Sequence, residues 1–169
     1  EGLFGSVYEV TSTKDLIDKD LLSKLKIDSI LLGYTDEEKK EVKKLKYQEE
    51  MDWLVKNEKR NLFIKNLAGT LKGNTLILFQ FVEKHGKVLH DMIEKEYPDR
   101  DVFFIYGATE VEIREQVRKV AETKNDAIII ASYGTFSTGV SIRRLHNIIF
   151  ASPSKSRVRV LQSIGRQLR

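Results

Sequence analysis

The sequence Ala-Ile-Ile-Ile-Ala at residues 127–131 decides the fold of this chain, and Ser-Tyr-Gly-Thr follows it at residues 132–135. A continuous apolar run ended by small polar residues is typical of a strand buried on both faces of a parallel sheet. Working outward, similar runs lie at residues 76–81, 102–106 and 147–151. Amphipathic helices are predicted between them, over residues 84–95 and after a capping-box pattern at Thr109 and Glu112. This alternation predicts an α/β fold, with a parallel sheet covered by helices on both faces.

Both of these helices have an apolar stripe at helical spacing, which we expect to face the sheet. The stripes contain Val88, Leu89, Met92 and Ile93 in the first helix and Ile113, Val117, Val120 and Ala121 in the second.

The segment at residues 35–72 is predicted to be helical and highly charged. Thr35 and Glu38 form a capping-box pattern that begins a long helix, and a second helix is predicted after Asn57 and ends at Gly73. The expected inward residues are Val42, Leu45, Tyr47, Met51 and Leu54 in the first helix, and Phe63, Ile64, Leu67, Ala68 and Leu71 in the second. The remaining predicted elements are strands at residues 4–10 and 27–32, a short helix at 14–17 and a last helix from Ser154 or Ser156.

Composition limits the classes of protein to which the chain can belong. Its 169 residues are 41% hydrophobic and contain no Cys, which excludes disulfides, thiolate metal sites and a cysteine nucleophile. No apolar run approaches the roughly 18–20 residues that span a bilayer, so we expect a soluble protein. Residue 1 is Glu and the last residue lies inside a helical pattern, so we expect the chain to be cut from a longer polypeptide.

The net charge of +4 is unevenly distributed along the chain. Residues 127–169 carry seven Lys and Arg and no acidic residue, whereas residues 1–126 carry 22 Lys and Arg against 25 Asp and Glu. This asymmetry favours a polyanionic partner, either nucleic acid or nucleotide phosphates. A basic, solvated tail would give the same charge pattern, and charge alone does not separate the two.

Polar residues that could bind a phosphate follow the predicted strands. Residues 132–141 hold five hydroxyl residues, Tyr133 and two glycines directly after a buried strand, although an ordinary strand-to-helix turn would also require glycine. In the last predicted helix, Gln162, Arg166 and Arg169 share one face, and the planar guanidinium group suits a phosphoryl group. A solvated basic helix is the alternative. The histidines His85, His90 and His146 have no metal-ligand spacing, so we expect structural or surface roles.

Several segments of the chain resemble motifs of superfamily 2 helicases, and they follow one another along the chain in the same order as in that family. Residues 162–169 resemble motif VI, residues 132–142 motif V and residues 75–80 motif IV, and Tyr106-Gly107 followed by Arg114 is similar to the glycine-bearing segment between motifs IV and V. Residues 1–10 resemble the crossing between the two motor domains and the first strand of the second. The resemblance thus covers residues 11–169 as a second, RecA-like motor domain that is incomplete at its C-terminal end, with residues 35–72 as a charged helical segment within it.

The resemblance implies an ATP-dependent helicase in which ATP lies between two RecA-like domains of one polypeptide and nucleic acid crosses both. ATP and Mg²⁺ would be held mainly by the N-terminal motor domain, since this sequence contains no G-x-x-x-x-G-K-[ST] motif and no paired acidic motif for Mg²⁺. Arg166 and Arg169 would be arginine fingers with Gln162 beside them, and Gly139 and Ser141 would complete the nucleotide contacts. Many relatives have Asp at the position of Ser141.

The resemblance also implies which residues contact nucleic acid, and no residue of this chain is expected to bind a metal. The expected contacts are Phe79, Gln80, Tyr106, Gly107, Ser132, Tyr133 and Thr138. Branched DNA is the expected substrate, no membrane contact is expected, and the location would be the cytoplasm. This chain by itself should not hydrolyse ATP.

Two other classes of protein stay open. A non-catalytic α/β module could use its basic quarter to bind DNA or a protein partner. A small-molecule enzyme with a flavodoxin-like sheet is less favoured, because no convergent set of His, Asp and Glu lies at the predicted switch point.

Overall fold

The computed structural model describes residues 15, 18–19, 24, 26–138, 142 and 144–153. Its helices are α1 (Asp36–Val42), α2 (Tyr47–Lys56), α3 (Glu58–Thr70), a π-helix (Val82–Gly86) continued by α4 (Lys87–Glu96), α5 (Val111–Thr123) and α6 (Tyr133–Thr138). Its strands are β1 (Thr75–Phe79), β2 (Val102–Ile105), β3 (Ile128–Ser132) and β4 (Asn147–Phe150). The predictions for residues 4–10 and 14–17 and for a helix from Ser154 or Ser156 fall outside the described residues, apart from Asp15.

The four described strands form one parallel sheet in the order β2-β3-β1-β4. The continuous apolar runs therefore form the strands for which they were predicted, and the predicted α/β architecture is confirmed. Strand β1 occupies an interior position, and all five of its residues are buried. Because the strands are parallel, all four carboxyl ends lie at the same edge of the sheet.

Each strand divides its side chains between two cores because neighbouring residues of a strand point to opposite faces. One core contains Leu76, Leu78, Ile105, Ile129 and Ala131 from the strands, with Val117 and Ala121 of α5. The other contains Ile77, Phe79, Ile128 and Ile130, with Ile64 and Ala68 of α3 and Leu89 and Ile93 of α4. Each fully buried Ile or Leu contributes roughly 1.5–3 kcal/mol relative to exposure. Burial of both sheet faces thus accounts for the unbroken apolar runs.

The charged segment contains three helices where the sequence predicted two. The capping box is confirmed, since the Thr35 hydroxyl accepts a hydrogen bond from the Glu38 amide and the Glu38 carboxylate accepts one from the Thr35 amide. The prediction of one long helix is wrong, because α1 ends at Val42 and a new helix begins at Tyr47. The Glu49 carboxylate accepts a hydrogen bond of 2.8 Å from the Lys46 amide, which satisfies a free amide at this second start.

The predicted start of α3 is confirmed, whereas the helix ends at Thr70, three residues before the predicted stop at Gly73. The Asn57 side chain accepts a hydrogen bond of 2.9 Å from the Arg60 amide at the start of the helix. After the helix, Gly73 has a φ of 88°, a left-handed conformation that glycine adopts without strain. Ile64 and Ala68 are buried, as the stripe predicted.

The strand predicted at residues 27–32 is wrong. This segment has no regular structure, and Ile27 and Leu31 are 70% and 94% exposed. Ile27, Ile30 and Leu32 line one side of a cleft of about 560 Å³, opposite α3 and β4. The apolar residues thus lie along an open cleft, and among the described residues they join no strand ladder.

Four details of the predicted helices are also wrong. The Thr109 hydroxyl accepts a hydrogen bond from the Tyr106 amide and does not cap α5. Tyr47, Val88 and Ile113, all predicted to face inward, are 46%, 39% and 44% exposed. Each predicted apolar stripe therefore includes residues that lie outside the buried face of its helix. Within the described part of the chain, no helix has the length and apolar character needed to cross a bilayer.

Candidate functional site

Four loops meet at the carboxyl edge of the sheet. Strand register aligns Phe79 with Ser132 and Leu78 with Phe150, so Gln80 after β1 lies between the ends of β3 and β4. Ile105 is aligned with Ala131, which brings the loop after β2 to the other side of β3. The structure therefore places the loops that carry Gln80, Gly107, Ser132 and Ser152 along one edge.

The loop after β1 is held by a serine that follows β4. The Gln80 amide donates a hydrogen bond of 3.1 Å to the Ser152 hydroxyl, while the Gln80 side chain is exposed. Gln80 was predicted to contact nucleic acid, and an exposed carboxamide at this edge has donors for a phosphate oxygen.

The loop after β2 is a closed turn. The Tyr106 amide donates to the Thr109 hydroxyl at 2.9 Å, and the Thr109 amide donates back to the Tyr106 carbonyl at 2.9 Å. Arg114 of α5 donates to the Gly107 carbonyl at 2.9 Å. Gly107 is exposed, and a Cβ added there would meet no atom within 4 Å. Hydrogen bonds from Thr109 and Arg114 therefore fix the backbone of this loop, while Gly107 is exposed to solvent.

The loop after β3 turns directly into α6. The half-buried Ser132 hydroxyl lies 2.8 Å from the Thr135 hydroxyl and accepts a hydrogen bond of 3.3 Å from the Thr135 amide. Ser132 thus links the end of the strand to the first turn of the helix. Thr138 is the last residue of α6.

Two of the predicted nucleic-acid contacts are corrected by burial. The Phe79 ring is fully buried and stacks on Phe104, with 5.5 Å between the ring centroids. The Tyr133 ring is 2% exposed, and its hydroxyl donates a hydrogen bond of 2.7 Å to the Ser152 carbonyl. Both rings belong to the packed interior because the sheet and its helices enclose them, so neither is available to a ligand.

A buried polar network under this edge was missed by sequence reasoning. His85 of the π-helix is fully buried, with Nδ1 3.0 Å from the Ser152 hydroxyl and Nε2 3.1 Å from the Asn61 side-chain oxygen. Arg60 donates a hydrogen bond of 2.6 Å to the Ala151 carbonyl. Asn61 lies 24 residues and Ser152 67 residues from His85, so no local spacing pattern could have predicted the cluster.

The network holds one positive charge and one neutral imidazole. Burial, and to a smaller extent the nearby Arg60 guanidinium, together lower the pKa of His85 to about 4. Burial also lowers the pKa of Arg60, which still keeps its charge at neutral pH. The other two histidines were predicted to be structural or on the surface: His146 accepts a hydrogen bond from the Asn74 amide, and His90 lies beside Asp91.

Comparison with known proteins assigns this arrangement to a family. Residues 58–169, from the first residue of α3 onward, match the helicase conserved C-terminal domain. The chain belongs to this family. It is a helicase domain with the RecA-like α/β fold that the resemblance implied, and the recognition of a superfamily 2 helicase is confirmed.

The helicase domain is also similar to a curated protein, the ATP-dependent DNA helicase uvsW of Enterobacteria phage T4. The two are 39% identical over 171 residues, which cover 99% of this chain and 34% of the phage protein. The chain therefore spans about a third of the length of this relative. The match confirms the expected likeness of the sequence to this phage helicase.

The residues predicted to face ATP lie outside the described part of the helicase domain. These are Gly139, Ser141, Gln162, Arg166 and Arg169. Among the described residues, no group of three or more His, Cys, Asp or Glu side chains is placed to hold a metal ion.

Proposed function

We propose that this helicase domain is the second motor domain of an ATP-dependent helicase that remodels or unwinds branched DNA. The observation that carries the proposal is the alignment of the Gln80, Gly107 and Ser132 loops along one edge of a helicase-family sheet. The exposed Gln80 carboxamide and the Gly107 backbone present short polar groups to one strand of a nucleic acid. DNA as the substrate is supported by the likeness to a DNA helicase.

The contact we propose is with the sugar–phosphate backbone. The candidate residues are Gln80, Tyr106, Gly107, Ser132 and Thr138, whose hydroxyl, carboxamide and backbone N–H groups can donate hydrogen bonds to phosphate oxygens. Seven Lys and Arg without an acidic residue in residues 127–169 supply the long-range attraction for a polyanion. Binding should therefore depend weakly on sequence and strongly on ionic strength.

ATP hydrolysis would need both motor domains of the polypeptide. The N-terminal RecA-like domain would hold ATP and Mg²⁺, and hydrolysis of the bound ATP would supply the free energy for domain movement. Arg166 and Arg169, with Gln162 beside them, would stabilise negative charge on the γ-phosphate, and Gly139 and Ser141 would complete the pocket. Arginine fingers contribute roughly 10³–10⁵ to the rate where they have been measured.

The experiment is ATP hydrolysis by the full-length protein with and without DNA, for the wild type and Arg169→Ala. We expect the variant to lose nearly all DNA-stimulated turnover and to keep its affinity for ATP. Arg118→Ala is the matched control, because Arg118 lies on α5 and pairs with Glu115 and Glu122, away from the carboxyl edge. Full turnover in Arg169→Ala contradicts the assignment, and DNA binding without any ATP turnover favours a non-catalytic binding module.

The preference for branched DNA is tested with the same protein. Unwinding is compared on forked DNA, four-way junctions and RNA–DNA hybrids of equal length. We expect the two branched DNA substrates to be processed fastest, and equal rates on all three would contradict the preference.

A further inference from the structure

Ser152 has hydrogen bonds to four residues and is itself 2% exposed. Its hydroxyl accepts from the Gln80 amide at 3.1 Å and lies 3.0 Å from His85 Nδ1. Its carbonyl accepts from the Tyr133 hydroxyl at 2.7 Å, and its amide donates to the Leu78 carbonyl at 3.4 Å. The hydroxyl of Ser152 thus holds the end of β1 and the π-helix, and its backbone holds Tyr133 after β3.

The donors and acceptors fix the direction of this network. The Ser152 oxygen accepts from the Gln80 amide, so its only hydrogen is free to donate to His85 Nδ1. Nδ1 is then unprotonated and Nε2 carries the hydrogen, which it donates to the Asn61 oxygen at 3.1 Å. The Asn61 nitrogen donates to the Val55 carbonyl at 2.9 Å, which fixes the orientation of its carboxamide. A neutral His85 satisfies every member of the chain.

This network acts on one exposed group. The Gln80 amide is used internally, so the peptide is fixed and the Gln80 side chain is directed outward from the carboxyl edge. Loss of the Ser152 hydroxyl would leave the amide of Gln80 and Nδ1 of His85 without their partners. The first residue after β1 would then be free to move, while the sheet ladder between β1 and β3 stays intact.

We propose that Ser152 and His85 are positioning residues that set the Gln80 side chain for contact with the DNA backbone. The proposal rests on the proposed function, because it gives the Gln80 loop a DNA strand to contact. Ser152 and His85 themselves are buried and touch no DNA. Their effect on DNA binding passes entirely through Gln80.

The test is the oligonucleotide concentration that half-activates ATP hydrolysis by the full-length protein, with single-stranded oligo-dT as the probe. We expect Gln80→Ala and Ser152→Ala each to raise this concentration about tenfold, as the loss of one hydrogen bond to a charged group would. In Gln80→Ala, the further change Ser152→Ala should have little effect, because the two act in series. In Ser152→Ala the maximal rate should change little, so that the effect appears in the half-activating concentration.

Two substitutions of His85 separate positioning from packing. His85→Asn keeps an acceptor where Nδ1 lies and should activate like the wild type, whereas His85→Gln keeps only the donor at Nε2 and should behave like Ser152→Ala. His90→Asn is the control, since His90 is a largely buried histidine of the same helical segment that pairs with Asp91.

Thermal unfolding of every variant is recorded alongside activation. A lower melting temperature without a change in half-activating concentration overturns the proposal, because Ser152 would then serve folding only. Full additivity of Gln80→Ala and Ser152→Ala also overturns it. A wild-type protein that neither oligo-dT nor forked DNA activates overturns the proposed function itself, an outcome distinct from an activated wild type with unchanged variants.

Discussion

Gly86→Ala should destabilise the protein, because Gly86 lies against a ring that cannot move. A Cβ at Gly86 would lie 2.5 Å from Cε2 and Cζ of Phe79, whereas carbon atoms in contact are normally about 3.5–4.0 Å apart. Phe79 is fully buried on the interior strand β1 and stacks on Phe104. An overlap of about 1 Å in such a site typically costs 1–3 kcal/mol.

One effect works in the opposite direction. Alanine is favoured over glycine in a helix by about 1 kcal/mol. The steric term is larger, so we expect a net loss of up to about 2 kcal/mol, which corresponds to a fall of up to roughly 8 °C in melting temperature for a domain of this size. Thermal unfolding followed by circular dichroism measures it.

Two companion variants make this test specific. Gly33→Ala is the matched control, since a Cβ at Gly33 would meet nothing within 4 Å, and it should change the melting temperature little. Phe79→Leu combined with Gly86→Ala should lose less stability than the two single changes added together, because the smaller side chain leaves room for the methyl group. A Gly86→Ala protein as stable as Gly33→Ala would refute the reasoning.

Three further predictions concern buried polar groups and charge. The pKa of His85 is about 4 in the folded protein and about 6.5 in the unfolded chain, so the unfolded chain binds the proton first as pH falls. The free energy of unfolding should therefore decrease from pH 6.5 towards pH 4, by up to about 3 kcal/mol from this group. An NMR titration that finds the ring protonated at pH 6 in the folded protein would contradict this. Asn74→Ala removes a buried side chain that donates to the carbonyls of Ala121, Lys124 and Arg144 and accepts from the Ala127 amide. The free energy of unfolding, measured with urea, should fall by about 3 kcal/mol or more, whereas Asn66→Ala at an exposed position should change it very little. Binding of the full-length protein to an oligonucleotide should weaken by at least about tenfold between 50 and 200 mM salt, and affinity that ignores salt in a fluorescence titration would exclude a phosphate contact.

The sheet could be predicted from the sequence because each strand is marked locally. Residues 127–131 and 76–81 are apolar runs that only a strand covered on both faces can bury, and polar residues follow each of them. Parallel strands then bring Gln80, Gly107 and Ser132 to one edge. The candidate site follows from topology in this way.

Other features depend on contacts between distant residues. The hydrogen bonds of His85 with Ser152 and Asn61 join positions far apart in the sequence, as does the bond of the buried Tyr133 hydroxyl to the Ser152 carbonyl. The run at residues 27–32 has the composition of a strand but lies along the open cleft beside β4. Propensity alone does not decide such positions, because tertiary packing overrides it.

The most direct test of the central claim is a structure of the full-length protein with a non-hydrolysable ATP analogue and DNA. The account predicts the guanidinium groups of Arg166 and Arg169 within hydrogen-bond distance of the γ-phosphate, with the triphosphate held by the other motor domain. Both side chains paired with acceptors of their own domain, away from the carboxyl edge of the sheet, would contradict it.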